Sequence, residues 1–408
     1  TGPTGSGKSN LLLRLMADDA AAGRGFTLID FKGDLCDDLL DALPADRVKD
    51  VIVIDPSDLD RPVGWNLLDI KEASVDLVIE GVVHVFRMMY TQYFGPRTAD
   101  CMLAGLHTLM RRPGQTLLEL PLVLSSKAFR APLVALVQDD PIALGTFWSQ
   151  FEALRPNEQA NVIAPLSNKL RQLLLRKSVK YCIGQAEPRF SFREAFDSKK
   201  IVVIKLAQGE LGDEVSILLG NLFFGRIWTT IQQRAAKPAS ERVRTHLYVD
   251  EAHRVIHGVS DLGDMLAQCR GLALGVTLAS QHLSQFPKDV RDAILSNCRS
   301  KIAFQPTASD ASALAKEFAP FLTAEDLQGL GRYEIVAQLA VGQRVAPPLT
   351  AVTLPPPTKT GNRKAAIEHS RKTYGESHEL LDHAMAKRQA VTPITEAIGR
   401  QRRPRRSS

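Results

Sequence analysis

The chain opens TGPTGSGKS, and residues 2–9 fit the pattern G-x-x-x-x-G-K-[ST]. That pattern fixes local architecture and chemistry together. Glycines at 2, 5 and 7 let backbone amides turn inward around phosphate oxygens, where side chains would clash. A helix starting near Lys8 adds its positive dipole end. Lys8 is expected to reach the β- and γ-phosphates of a nucleoside triphosphate, and Ser9 to ligate Mg²⁺. The expected binding set is Gly2, Thr4, Gly5, Ser6, Gly7, Lys8, Ser9 and Asn10. Such a loop joins a buried strand to a helix. Residues 10–16 read as that helix and 26–30 as the next strand. Only Thr1 precedes Gly2, so the strand leading into the loop is expected upstream of Thr1.

Short apolar runs rich in Val and Ile recur at 26–30, 50–55, 201–206, 245–250, 276–280 and 301–305. They barely alternate, which is how strands buried on both faces read. Helical stretches separate them, notably 213–234 and 261–269, so the expected class is α/β with a mostly parallel sheet. From about 70 to 197 the pattern changes. Residues 101–110 and 161–175 carry apolar positions three and four apart, Pro165 marks a helix start or a kink, and no strand stands out. This predicts an all-α domain inserted between two strands. The expected division is a first motor part at 1–70 without its first strand, the helical insert at 71–197, a second motor part at 198–355, and a basic, partly disordered tail at 356–408 with a helix-compatible stretch at about 365–387.

Composition bounds the rest. At 44% apolar and 24% charged residues the chain suits a soluble globular protein. No apolar run approaches the roughly 18 residues of a membrane span. Cys36, Cys101, Cys182, Cys269 and Cys298 are scattered, as reduced thiols are, with neither a disulfide frame nor a zinc pattern. The net charge of +6 is concentrated: residues 355–408 hold 12 Lys and Arg against 5 Asp and Glu, which leaves the remainder at −1. The basic pI is therefore a weak sign that the body grips DNA. The Arg400–Arg406 cluster reads first as a solvated tail and second as a phosphate-binding patch.

His246-Leu247-Tyr248-Val249-Asp250-Glu251 is an apolar strand ending in two carboxylates. Alone it could be a solvated acidic turn. Behind a phosphate loop, Asp250 is expected in the Mg²⁺ shell and Glu251 as the general base that polarises the attacking water. The run at 276–280 ends beside Gln281, the candidate sensor of the γ-phosphate. Arg270 either reaches a neighbouring subunit's nucleotide or is a solvated cation at a helix C-terminus. Lys32 reads equally as a turn residue or as part of the nucleotide side. Trp65, Trp148 and Trp228 read as core, and the pair His253 and His257 lacks a third metal ligand.

These residues carry a resemblance. Residues 2–9, Asp30-Phe31-Lys32-Gly33-Asp34, Asp55-Pro56, Gly64-Trp65-Asn66-Leu67-Leu68, residues 248–252, Arg270-Gly271-Leu272 and Ala279-Ser280-Gln281 resemble the DNA-pumping ATPases of the HerA–FtsK superfamily. Within it they are most similar to the TraG/TraD-type coupling proteins of conjugation and type IV secretion. The resemblance spans about residues 1–355. It implies a RecA-like P-loop NTPase with ATP and Mg²⁺ at the interfaces of a six-membered ring. It also implies Arg270 acting in trans, and DNA, single-stranded and read without sequence preference, in the central channel. Relaxase and secretion components are implied partners. The motor region would be cytoplasmic, with inner-membrane contact only through a segment upstream. A HerA-type end-processing motor and a non-catalytic binding module are the alternatives kept.

Overall fold

The structure, a computed structural model, describes residues 1–71, 74–92, 94–259 and 261–390. The charged cluster 400–406 lies outside them. Helix α1 (Lys8–Ala21) follows the loop and leads to β1 (Gly25–Asp30), α2 (Asp34–Ala42) and β2 (Val51–Ile54). Eight helices come next: α3 (Val75–Met89), α4 (Pro96–Met110), α5 (Leu120–Ser125), α6 (Lys127–Val134), α7 (Leu144–Ala153), α8 (Pro156–Leu174), α9 (Lys177–Ile183) and α10 (Phe192–Asp197). Pro156 opens α8, and Pro165 sits inside it. Then β3 (Ile201–Lys205), α11 (Gln208–Leu211), α12 (Asp213–Gln232), β4 (Thr245–Val249), α13 (Leu262–Cys269) and β5 (Leu274–Leu278) return to the sheet.

The five strands run parallel in the order β2-β3-β1-β4-β5. Every residue of β1 and β2 is buried, as helices covering both faces require. The class is α/β with a parallel sheet and a helical segment between β2 and β3. No single described helix is long and apolar enough to cross a membrane. Trp65, Trp148 and Trp228 are all buried in the main core.

Two strand expectations need correction. The run expected at 276–280 forms a strand at 274–278. Gly275 hides its start, since glycine reads as a breaker. The residue is required because a Cβ there would lie 2.3 Å from the His246 ring. The run at 301–305 is a strand only over β6 (Lys301–Ala303), outside the parallel sheet. It pairs antiparallel with β7 (Glu334–Gln338), which pairs antiparallel with β10 (Leu349–Val352). An apolar run shows burial but not the direction of its neighbour. Pro306, which has no N–H to donate, follows directly. Helix α14 (Lys288–Asn297) precedes β6, α15 (Ala308–Glu317) and α16 (Ala324–Gln328) lie between β6 and β7, and the hairpin of β8 (Ala340–Val341) and β9 (Arg344–Val345) lies between β7 and β10.

Residues 354–390 form a strap. It starts at α1, where Leu354 O accepts from Asn10 Nδ2 at 2.8 Å. It crosses α2 through Lys359–Asp38 at 3.0 Å and Thr360 N–Asp41 O. Helix α17 (Arg363–Tyr374) then lies along the free edge of β2, where the Val53 N–H donates to Ser370 Oγ at 2.8 Å. Helix α18 (His378–Gln389) ends on the helical segment. There Glu119, fully buried, accepts from Thr116 N and Oγ1 through one oxygen and from Arg388 Nε at 3.3 Å through the other. Arg388→Ala strips the cation from a buried carboxylate, a change worth about 3 kcal/mol. Thermal denaturation should show a fall of several degrees, partly recovered in the Glu119→Gln, Arg388→Ala double variant. Melting unchanged from the parent would show that this anchor does not hold the strap.

Candidate active site

The loop wraps its own lysine. Gly7, at φ 112°, caps α1 in a conformation that L side chains avoid, and a Cβ there would meet Tyr333 at 3.1 Å and Phe304 at 3.2 Å. Lys8 Nζ donates to Pro3 O at 2.9 Å and to Gly2 O. The first turn of α1 presents amides without intrahelical partners. Thr4, Gly5 and Ser9 are exposed, and Ser6 Oγ is buried with no hydrogen-bond partner among the described residues. Asn10 faces the strap.

The carboxyl ends of β1, β4 and β5 face this loop. Asp250 follows β4 and is anchored by its N–H to Ile29 O at 3.1 Å. Burial, joined by the nearby charges of Asp30 and Glu251, pushes its carboxyl up to about 6. Asp30, fully buried, accepts from the backbone N–H of Lys32 and of Cys36. Glu251 sits at φ 52°, ψ 50°, a left-handed conformation that costs a non-glycine residue roughly 1 kcal/mol or more. The turn aims its side chain back at the loop. One oxygen, Oε1, accepts from Lys32 Nζ at 2.6 Å and from Gln281 Nε2 at 2.7 Å. The other, Oε2, has no hydrogen-bond partner among the described residues, and His253 Nδ1 stands 3.7 Å away. Burial alone would raise Glu251, but the Lys32 and Gln281 hydrogen bonds and the Lys32 charge outweigh it and hold the carboxyl below its ordinary value. Burial lowers Lys8, against the opposing pull of Asp250 and Glu251. Gln281 closes the circuit, accepting from Thr4 Oγ1 at 3.0 Å.

Beside this cluster lies a cleft of about 380 Å³, walled by Ser9, Asp30, Lys32 and Asp250 on the sheet side and by Pro357 and Lys359 of the strap. Oxygen donors from Ser9 and Asp250 on one cleft suit a hard divalent cation. Lys8, Ser9, Asp250, Glu251 and Gln281 are thus gathered at one end of the sheet. Arg270 is not with them. It is exposed at the C-terminus of α13, at the amino end of β5, where Leu274 pairs with Thr245. Three features escape a reading of the sequence alone: the Lys32–Glu251 pair, the buried Asp30 beneath it, and the strap wall. Only the adjacency of β1 and β4 would have suggested the first.

A family model described as the type IV secretion-system coupling protein DNA-binding domain matches residues 1–333. Among solved structures, the chain is similar to the bacterial conjugative coupling protein TrwBdeltaN70 in an unbound form. The TM-score is 0.63 and the identity 18%, over 90% of this chain and 86% of that one. It is similar to plasmid coupling protein TrwB in complex with ADP and Mg²⁺, at TM-score 0.60 and 18% identity with the same coverage. It is also similar to VirB4 of Thermoanaerobacter pseudethanolicus, at TM-score 0.51 and 16% identity, over 82% of this chain and 84% of that one. At these identities the structural likenesses establish the fold. No curated protein sequence matches the chain.

Proposed function

Because the chain belongs to the type IV secretion-system coupling proteins, we propose that it is a Mg²⁺-dependent ATPase that drives DNA, single-stranded and independent of sequence, through a ring of six copies. The observation that carries this is the Glu251 carboxylate. One oxygen is fixed by Lys32 and Gln281 and the other is without a hydrogen-bond partner among the described residues, beside a phosphate loop that Gln281 itself touches. The coupling-protein match over residues 1–333 favours this reading over an end-processing motor.

Each residue has a part. The loop amides and Lys8 hold the phosphates, with Lys8 exchanging its bonds to Gly2 O and Pro3 O for phosphate oxygens. Ser9 and Asp250 would hold Mg²⁺, which when bound neutralises charge on the β- and γ-oxygens. The TrwB structure in complex with ADP and Mg²⁺ supports ATP and Mg²⁺ as the cofactors. Glu251 takes the proton of the attacking water on its unpartnered oxygen. Gln281, bridging Thr4 and Glu251, reports whether the γ-phosphate is in place. Asp30 and Lys32 orient the base.

Lys8→Ala removes the charge-assisted bonds to the phosphates, an expected loss of about 2.7 kcal/mol, or roughly 100-fold in ATP affinity. Titration with a fluorescent ATP analogue measures it, and an unchanged affinity would remove Lys8 from the site. Displacement of streptavidin from biotinylated single strands tests the motor. ATP-dependent displacement is expected, and none would contradict translocation.

A further inference from the structure

The amino edge of the five-stranded sheet holds a second cleft, of about 630 Å³, lined by Arg24, Arg244 and Arg270 with Asp19 and His246. The strand register explains the cluster. Gly25, Thr245 and Leu274 lie side by side across β1, β4 and β5, so Arg24 and Arg244, one residue earlier, leave the same edge. Arg270 joins them from the end of α13. Arg24 is tied to Asp19 at 2.6 Å, and Asp19 also accepts from the Tyr248 hydroxyl at 2.7 Å. Arg244 and Arg270 are exposed and have no hydrogen bond or ion pair among the described residues. The cleft therefore keeps two uncompensated guanidiniums, whose planar forks suit phosphate oxygens.

The loop site has the opposite balance. Lys8 and Lys32 face Asp30, Asp250 and Glu251, one negative charge in excess before any triphosphate arrives. Mg²⁺ and the loop amides would meet the ground-state charge of a triphosphate there, while charge that develops on its γ-oxygens in the transition state calls for further cations that this copy does not place at the site. The acidic site lies at the carboxyl edge of the sheet and the arginine cleft at its amino edge, too far round the same domain to meet. Two copies placed head to tail bring the surplus cations of one to the deficit of the next, and such a heterologous contact repeats into a ring when the rotation closes.

We propose that Arg244 is a second trans-acting arginine: with Arg270 it forms an oxyanion site for the triphosphate bound at the loop of a neighbouring copy. This rests on the ATPase reading above. Arg244 leaves the edge of β4, the strand that carries Asp250 and Glu251 at its other end, so a shift of the neighbour's nucleotide bears on the strand that holds this copy's own carboxylates.

The test uses the assembled protein with Arg244→Ala, Arg244→Lys, Arg270→Ala and Glu251→Gln, after melting curves show each folds as the parent does. Arg244→Ala is expected to lower kcat roughly 10- to 100-fold while changing ATP affinity less than twofold. Arg244→Lys should recover only part, because an ammonium lacks the fork. Mixing Arg244→Ala with Glu251→Gln should restore activity. Parent-rate hydrolysis by Arg244→Ala, in a protein where Arg270→Ala and Glu251→Gln do complement, overturns the role of Arg244 and leaves the trans interface standing. Failure of both mixtures, with co-assembly shown by crosslinking, overturns the trans interface itself. A loss of DNA affinity in Arg244→Ala with DNA-free ATPase intact would make the cleft a DNA-phosphate site, which also overturns the proposal.

Discussion

Glu251→Gln is expected to bind ATP as tightly as the parent and to hydrolyse it roughly 10²- to 10⁴-fold more slowly. The amide matches the carboxylate in size, so the left-handed turn at φ 52° and the packing around it persist. Its oxygen can still accept from Lys32, which now stands at 2.6 Å. What disappears is the oxygen without a hydrogen-bond partner, Oε2, as a proton acceptor, and general-base catalysis accounts for roughly 10²–10⁴ in rate. Removing this charge also relieves Asp250, whose carboxyl is held up partly by Glu251. Metal-dependent binding should therefore not weaken. Equilibrium binding together with quenched-flow hydrolysis separates the two effects. Turnover within tenfold of the parent would assign the base elsewhere.

Arg270→Ala is expected to lower turnover by about 10³-fold or more with nucleotide affinity nearly intact, because the contact forms mainly in the transition state. Arg270 stands at the amino end of β5, away from the loop of its own chain, so its effect must pass between copies. Specific activity should then rise with protein concentration. Subunits with Arg270→Ala, mixed with subunits carrying Glu251→Gln, should regain activity that neither has alone. A Glu251→Gln subunit lends its arginine to a neighbour whose base is whole. Co-assembled variants that never complement would leave Arg270 a solvated cation at a helix end.

What the sequence shows, and what it hides, follows from the range of the interactions. The phosphate loop and the acidic pair after β4 are local patterns, and the structure sets them at one end of one sheet. Strands β1 to β4 are legible because burial on both faces leaves mostly apolar runs that barely alternate. The helices between β2 and β3 carry the three- and four-residue apolar spacing seen at 101–110 and 161–175. Strand β5 begins two residues before its apolar run because Gly275, needed for the approach of His246, mimics a breaker. Strand β6 joins the antiparallel sheet and not the parallel one, a difference the sequence hides because an apolar run does not name its partner. Lys32 could not be paired with Glu251, 219 residues away, without the order of the strands. The strap was hidden for a different reason. Residues 365–387 read as helix-compatible, but what docks them is a few separate residues, Ser370 on Val53, Arg388 on Glu119 and the buried Leu381 and Met385, in a segment otherwise of tail composition.

The most direct measurement is phosphate release from ATP by the protein, with Mg²⁺ and with and without single-stranded DNA, beside the Glu251→Gln variant. Mg²⁺-dependent release by the parent, raised by DNA and absent in the variant although it binds ATP, is the predicted result. ATP bound by the parent without release under any of these conditions, or release by the variant at the parent's rate, would contradict it.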